Sequence, residues 1–219
     1  MGNIVIDKKL ALEYIRDTLR ASKNKLEIVK HAKYHHNTRY RNAASVCRNG
    51  ILTMLDLHKY KIVSFSPEML KKFEDDDSHV NGIDAVSLSI SGMDDLYGDE
   101  EEYNPFEPDK VDFLVSSEVM ASRNSTNYGN EFLSIGSIGI DKIKAVDIRL
   151  IELMNKIGKN SYYTTEGMVN KYNTLIDIAR TIKEYNLDIP LREMSYGEEY
   201  SIDIDTLAGR PRLKIKQFI

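Results

Sequence analysis

The stretch "YHHNTRYRNAASVCRNGIL", residues 34–52, decides how this chain is read. Its first residues are aromatic, imidazole and hydroxyl side chains with no helical stripe, which predicts a strand over about 32–37. "RNAASVCRNG" then sets Ala43, Val46 and Cys47 on one helical face, and Gly50 offers a residue that tolerates positive φ where the helix stops. Two adjacent histidines thus sit at a strand end, followed by a polar turn and then a short helix closed by a glycine. His35 and His36 are either ordinary hydrogen-bonded side chains or contacts for a ligand.

Working outward, Asp7 is placed to cap a helix over "KKLALEYIRDTLR", where Leu10, Ala11, Tyr14, Ile15 and Leu19 recur at helical spacing. "KLEIVKHAKYHH" (25–36) is open between helix and strand until its end. Downstream, "DAVSLSIS" (84–91) alternates Val86, Leu88 and Ile90 with Ser87, Ser89 and Ser91: a strand with one apolar face and one hydroxyl face. "KVDFLVSSEV" (110–119), "EFLSIGSIGI" (131–140) and "KIKAVDIRLI" (142–151) read as further strands, with Val146, Ile148 and Leu150 in register. Within 165–185, Met168, Tyr172, Leu175, Ile176, Ala179 and Ile182 form one stripe, and Asn186 and Pro190 end that helix. The last stretch, "EEYSIDIDTLAGRPRLKIKQFI", alternates again and predicts one or two closing strands. Helix, strand-rich middle, helix and strands is an α+β order with antiparallel or mixed pairing.

The 219 residues, 42% of them hydrophobic, suffice for one large domain with a substantial core. We divide it into a helical segment (1–30), a core (31–150) and a closing helix with strands (151–219). One cysteine excludes an internal disulfide framework and points to a reducing, cytoplasmic setting; Cys47 reads as a small buried hydrophobe. The start lacks the pattern of a signal peptide, and no apolar run is long enough for a membrane span. Charge is uneven. Residues 1–72 hold 15 basic against 6 acidic side chains, whereas residues 73–110 hold 1 against 13. The acidic part, "SGMDDLYGDEEEYNPFEPDK" (91–110), predicts a solvated surface loop, and its acids do not follow calcium-loop spacing. No phosphate-binding glycine loop, dinucleotide fingerprint or zinc motif occurs, and the histidines do not keep metal-ligand spacing.

What remains is an ordered series. His36-Asn37-Thr38 ends a strand, a helix closes on Gly50-Ile51-Leu52, Ser87-Leu88-Ser89 lies in a strand, and a polar loop leads to Asn130-Glu131-Phe132-Leu133 at the start of another. In this order the chain resembles the ADP-ribosyltransferase superfamily over about residues 33–150. Members carry a first-strand His-x-Thr or related motif, a helix ending in a Gly-Ile or Gly-Leu step, a serine or aromatic on a second strand, and a glutamate at the start of a third. The resemblance implies a mixed, split β-sheet flanked by helices, and NAD as substrate. It assigns His36 and Thr38 to the NAD adenosine ribose, Ser87 and Ser89 to the nicotinamide half, and Glu131 to catalysis. Residues 116–130 would face the acceptor. Glycosidic cleavage passes through an oxocarbenium-like state, which a carboxylate stabilises.

Departures narrow the resemblance. Arginine-modifying toxins of the superfamily have Gln or Glu two places before the catalytic glutamate, where this chain has Gly129; that counts against arginine as acceptor. The poly-ADP-ribosylating branch has a tyrosine in the second motif, which "AVSLSIS" lacks. The pattern is nearest to bacterial or phage-type enzymes that modify nucleic acid or a small molecule, and the basic N-terminal third suits a nucleic-acid acceptor. RNA 2′-phosphotransferase chemistry would need paired arginines; Arg39 and Arg41 lie near the motif without the expected context. The rival class is a non-catalytic binding or inhibitory protein acting through its acidic loop.

Overall fold

The computed structural model describes residues 3–69, 71, 84–90, 110–123, 131–157 and 164–216. A short strand β1 (Ile4–Ile6) leads into helix α1 (Lys8–Ala21), where Asp7 accepts a hydrogen bond from the Leu10 amide at 2.8 Å. That bond satisfies one of the donors a helix start leaves open. Ala11, Ile15, Thr18 and Leu19 form its buried stripe, while Leu10, expected on that stripe, is 48% exposed. After β2 (Lys23–Asn24), the strand expected at 32–37 runs from Ala32 to Arg39 (β3) and passes directly into α2 (Tyr40–Asn49). Cys47 is 1% exposed, and burial pushes its thiol up to about 12, as suits an inert core residue.

Gly50 has the expected positive φ, +79°, but its ψ is −171°, so the chain leaves the helix extended rather than curling. Ile51 then exchanges two backbone hydrogen bonds with Ile138, at 2.9 and 2.8 Å. A Cβ on residue 50 would stand 2.2 Å from the Ile138 carbonyl oxygen, so both φ and this close approach call for glycine. The chain continues through α3 (Met54–Lys59), β4 (Ala85–Ile90), β5 (Lys110–Ser116), β6 (Ser122–Arg123), β7 (Glu131–Ile135) and β8 (Ile143–Ile148). There follow α4 (Leu150–Ile157), α5 (Thr165–Glu184), β9 (Leu191–Ser195), β10 (Glu198–Ile202), α6 (Ile204–Gly209) and β11 (Leu213–Ile215).

The architecture is α+β. Nine described strands form one sheet in the order β2-β10-β9-β8-β5-β3-β4-β7-β6, antiparallel at every described interface except β8–β9. β1 and β11 pair in parallel apart from it. The sheet takes strands from residues 23–24 and 191–202 as well as from the middle of the chain. Its two faces differ. Val86, Leu88, Val111, Phe113, Val115, Val146 and Ile148 alternate onto one face and join the helical residues Ile15, Leu19, Ala43, Tyr172 and Ile176 in a single apolar cluster. Each large side chain fully buried there contributes roughly 1.5–3 kcal/mol. The opposite face carries most of the polar residues described below.

Three sequence expectations need correction. Leu150, read in register with a strand, starts helix α4: the Glu193 carboxylate accepts from its amide at 3.2 Å and turns the chain. Strand β9 was not anticipated, and the alternation of the C-terminal stretch is interrupted by α6, whose first turn Asp203 caps through the Thr206 amide. The acidic segment 91–109 lies outside the described residues. No helix among those described is long and apolar enough to cross a membrane.

Candidate functional site

The site begins where two strands part. Among the described residues, β3 and β4 pair only at Tyr34↔Ile90 and His35↔Ser89. Beyond that point β3 follows β5 as far as Arg39↔Lys110, while β4 follows β7 from Ser89↔Glu131 to Ala85↔Ile135. The Ser87 carbonyl, left without a backbone donor from β3, accepts instead from His36 Nδ1 at 3.0 Å. A carbonyl only accepts, so Nδ1 carries the proton and Nε2 is the acceptor nitrogen of the neutral ring. Burial holds the imidazole below its ordinary value, with the Ser87 carbonyl opposing, which makes that neutral form the one present at pH 7.

The side chain of the same serine does different work. Ser87 Oγ donates to Glu131 Oε1 at 2.5 Å, a short charge-assisted bond that fixes the carboxylate at the first residue of β7. Because side chains alternate along a strand, Ser87, Ser89 and Glu131 share one face, opposite the buried Val86 and Leu88. Ser87 is exposed and Ser89 and Glu131 are half-buried, so the group is open to solvent.

The structure therefore brings three of the five expected residues, Ser87, Ser89 and Glu131, onto one surface. His36 meets them through the backbone of Ser87. It alternates with buried Tyr34 and so starts from the core side of β3, filling the opening between strands. Thr38 lies two residues further along, and its Oγ accepts from Asn42 Nδ2 at 3.3 Å, at the start of α2.

Sequence reasoning missed a second polar group on the same face. His35 is the partner of Ser89 in the ladder, and its Nδ1 lies 2.6 Å from Asp112 Oδ2 on β5. In register with Asp112 stand Asn37 on β3 and Asp147 on β8, and Arg192 on β9 is level with Asp147. Arg192 grips Asp147 with two bonds of 2.7 Å, and its remaining terminal nitrogen donates to the Glu27 carbonyl at 3.1 Å. Burial pushes the Asp112 and Asp147 carboxyls above their ordinary range, while His35 pulls Asp112 back and Arg192 pulls Asp147 back. The available signal was an aspartate inside each of two apolar runs, "KVDFLV" and "KAVDIR", since a carboxylate in a buried strand must have a partner.

No family model matches the chain, and no curated protein or solved structure shows significant similarity to it.

Proposed function

We propose that the chain is an NAD-dependent ADP-ribosyltransferase, with the opening between β3 and β4 as the split of its sheet. The observation that carries this reading is the 2.5 Å bond from Ser87 Oγ to Glu131 Oε1 on strands of the expected order, with His36 on the same serine. Glu131 is the catalytic carboxylate. It stabilises the positive charge that grows on the ribose as the bond from C1′ to the nicotinamide nitrogen breaks, the electron pair leaving with nicotinamide. The acceptor then forms the new bond at C1′. Ser87 orients Glu131 so that no reorganisation is needed at that moment, and Ser89 extends the hydroxyl surface beside it. Neutral His36, with Nε2 an acceptor, and Thr38 take a ribose hydroxyl of NAD. The acceptor is a macromolecule or small molecule still to be identified, and the basic residues before position 72 favour an acidic one such as nucleic acid.

The test is a labelled-NAD transfer assay across protein, DNA, RNA and nucleotide mixtures, run beside thermal unfolding with NAD. Label transfer or nicotinamide release, together with a higher Tm in NAD, is the expected result. No release and no change in Tm would leave a binding protein without this chemistry.

A further inference from the structure

Four polar residues stand in one row across the polar face of the sheet: Asn37 on β3, Asp112 on β5, Asp147 on β8 and Arg192 on β9. The row is satisfied at one end only. Both oxygens of Asp147 accept from Arg192. Asp112, 3% exposed, meets His35 through Oδ2, but its Oδ1 is buried with no hydrogen-bond partner. Asn37 has an interaction of its own elsewhere, yet its Oδ1 is likewise buried with no hydrogen-bond partner. Both residues line one cavity of about 50 Å³, and neither Ser87, Ser89 nor Glu131 lines it. Two buried acceptors on one cavity are costly unless a donor reaches them, and native proteins fill such positions.

What the cavity lacks is hydrogen rather than charge. His35 and the guanidinium groups of Arg192 and Arg149 already favour the ionised form of Asp112. Arg149 is itself paired with Glu152 at 3.5 Å, and Lys110, also on the wall, has an interaction of its own, so a ligand need engage neither. One nitrogen bearing two hydrogens serves both oxygens. An aliphatic amine would be charged at pH 7, whereas the NH2 of a nucleobase or a carboxamide is neutral. A water also carries two hydrogens, but it needs only about 10–15 Å³. The space left over is bounded by Met194, an apolar wall that suits the planar group bearing the NH2 better than it suits further waters.

We propose that this cavity is a subsite for the neutral NH2 group of a planar ligand, one hydrogen donated to Asp112 Oδ1 and the other to Asn37 Oδ1. An aminated nucleobase and an aromatic carboxamide share this chemistry. The subsite goes beyond the NAD reading and does not rest on it, since no NAD cleavage is required and Glu131 takes no part.

The experiment is calorimetric titration of the full chain with two matched pairs, adenosine against purine riboside and nicotinamide against 3-acetylpyridine. Within each pair only the NH2 differs, replaced by hydrogen in the first and by methyl in the second. In at least one pair the member with the NH2 is expected to bind saturably and at least about tenfold more tightly than its counterpart. The pair with the larger ratio names the source, a nucleobase amine or a carboxamide. Asn37→Ala removes one acceptor and should lower that ratio severalfold, and Asp112→Asn, which can turn a donor of its own into the cavity, should abolish it. The ratio in the parent chain decides the matter even where a variant does not fold. A chain that shows the ratio but leaves NAD intact sinks the NAD reading alone, and a chain that cleaves NAD without showing the ratio sinks this subsite alone. Equal affinity within both pairs is what a cavity filled by water would give, or one closed by the Asn37 amide turning its own NH2 to Asp112. That result, no saturable binding, or a folded Asn37→Ala with an unchanged ratio overturns the proposal.

Discussion

Two polar pairs stand on one face of one sheet and are built to opposite rules. Asp147 and Arg192 are 8% and 7% exposed, joined by two bonds of 2.7 Å, with Arg192 also held by the Glu27 carbonyl. Ser87 and Glu131 meet through a single bond near the far edge of the sheet, in reach of solvent. A buried ion pair gains little net stability over an apolar pair of the same shape, yet breaking one half of it is severe. An exposed hydroxyl–carboxylate bond adds little to folding but leaves a charged oxygen oriented where a ligand can approach. Polar side chains are therefore locked into the structure in the interior of the sheet and open to solvent near its far edge.

The largest effect should come from breaking the buried pair. Arg192→Met leaves the Asp147 carboxylate without its partner and should cost about 3–5 kcal/mol in urea unfolding. Pairing it with Asp147→Leu should recover most of that loss, whereas a double variant as unstable as the single one would deny that the charge is the cause.

Glu193 offers a titration of the same buried regime. It is 0% exposed, accepts from the Leu150 and Ser195 amides and the Ser195 hydroxyl, and burial still raises its carboxyl to about 7. An unfolded glutamate titrates near 4.5. Between these values the folded chain binds the extra proton, so stability should fall as pH rises from about 4.5 to 7, by about 3 kcal/mol from this group, and level off above. Unfolding free energies at pH 5 and 7.5 measure the slope, and Glu193→Gln should flatten it.

How much of this could be read beforehand follows from the reach of the interactions. Asp7, the stripe of α5 and the alternation of β4 are local patterns, and they predict their elements well. The strand positions of Ser87 and Glu131 were legible for the same reason. The choice between His35 and His36 was not. It depends on the pairing of β3 with β4, in which His35 rather than His36 stands opposite Ser89 and shares its face. Nor could Leu150 be placed, because the carboxylate that starts its helix comes from β9, 43 residues away.

The smallest stability effect should appear at the exposed pair. Ser87→Ala removes the bond to Glu131 and should change unfolding by less than about 1 kcal/mol. The same variant should slow NAD cleavage about tenfold through the loss of one orienting hydrogen bond. A large loss of stability with unchanged cleavage would reverse the contrast between the interior of the sheet and its far edge.

The most direct test is nicotinamide release from NAD by the parent chain and by Glu131→Gln, with unfolding of both measured in the same buffer. The expected result is release by the parent and a fall of about 10²- to 10³-fold in the variant, with stability unchanged within about 0.5 kcal/mol. Release at the parental rate by Glu131→Gln, or none from either protein, would contradict the role given to the carboxylate of Glu131.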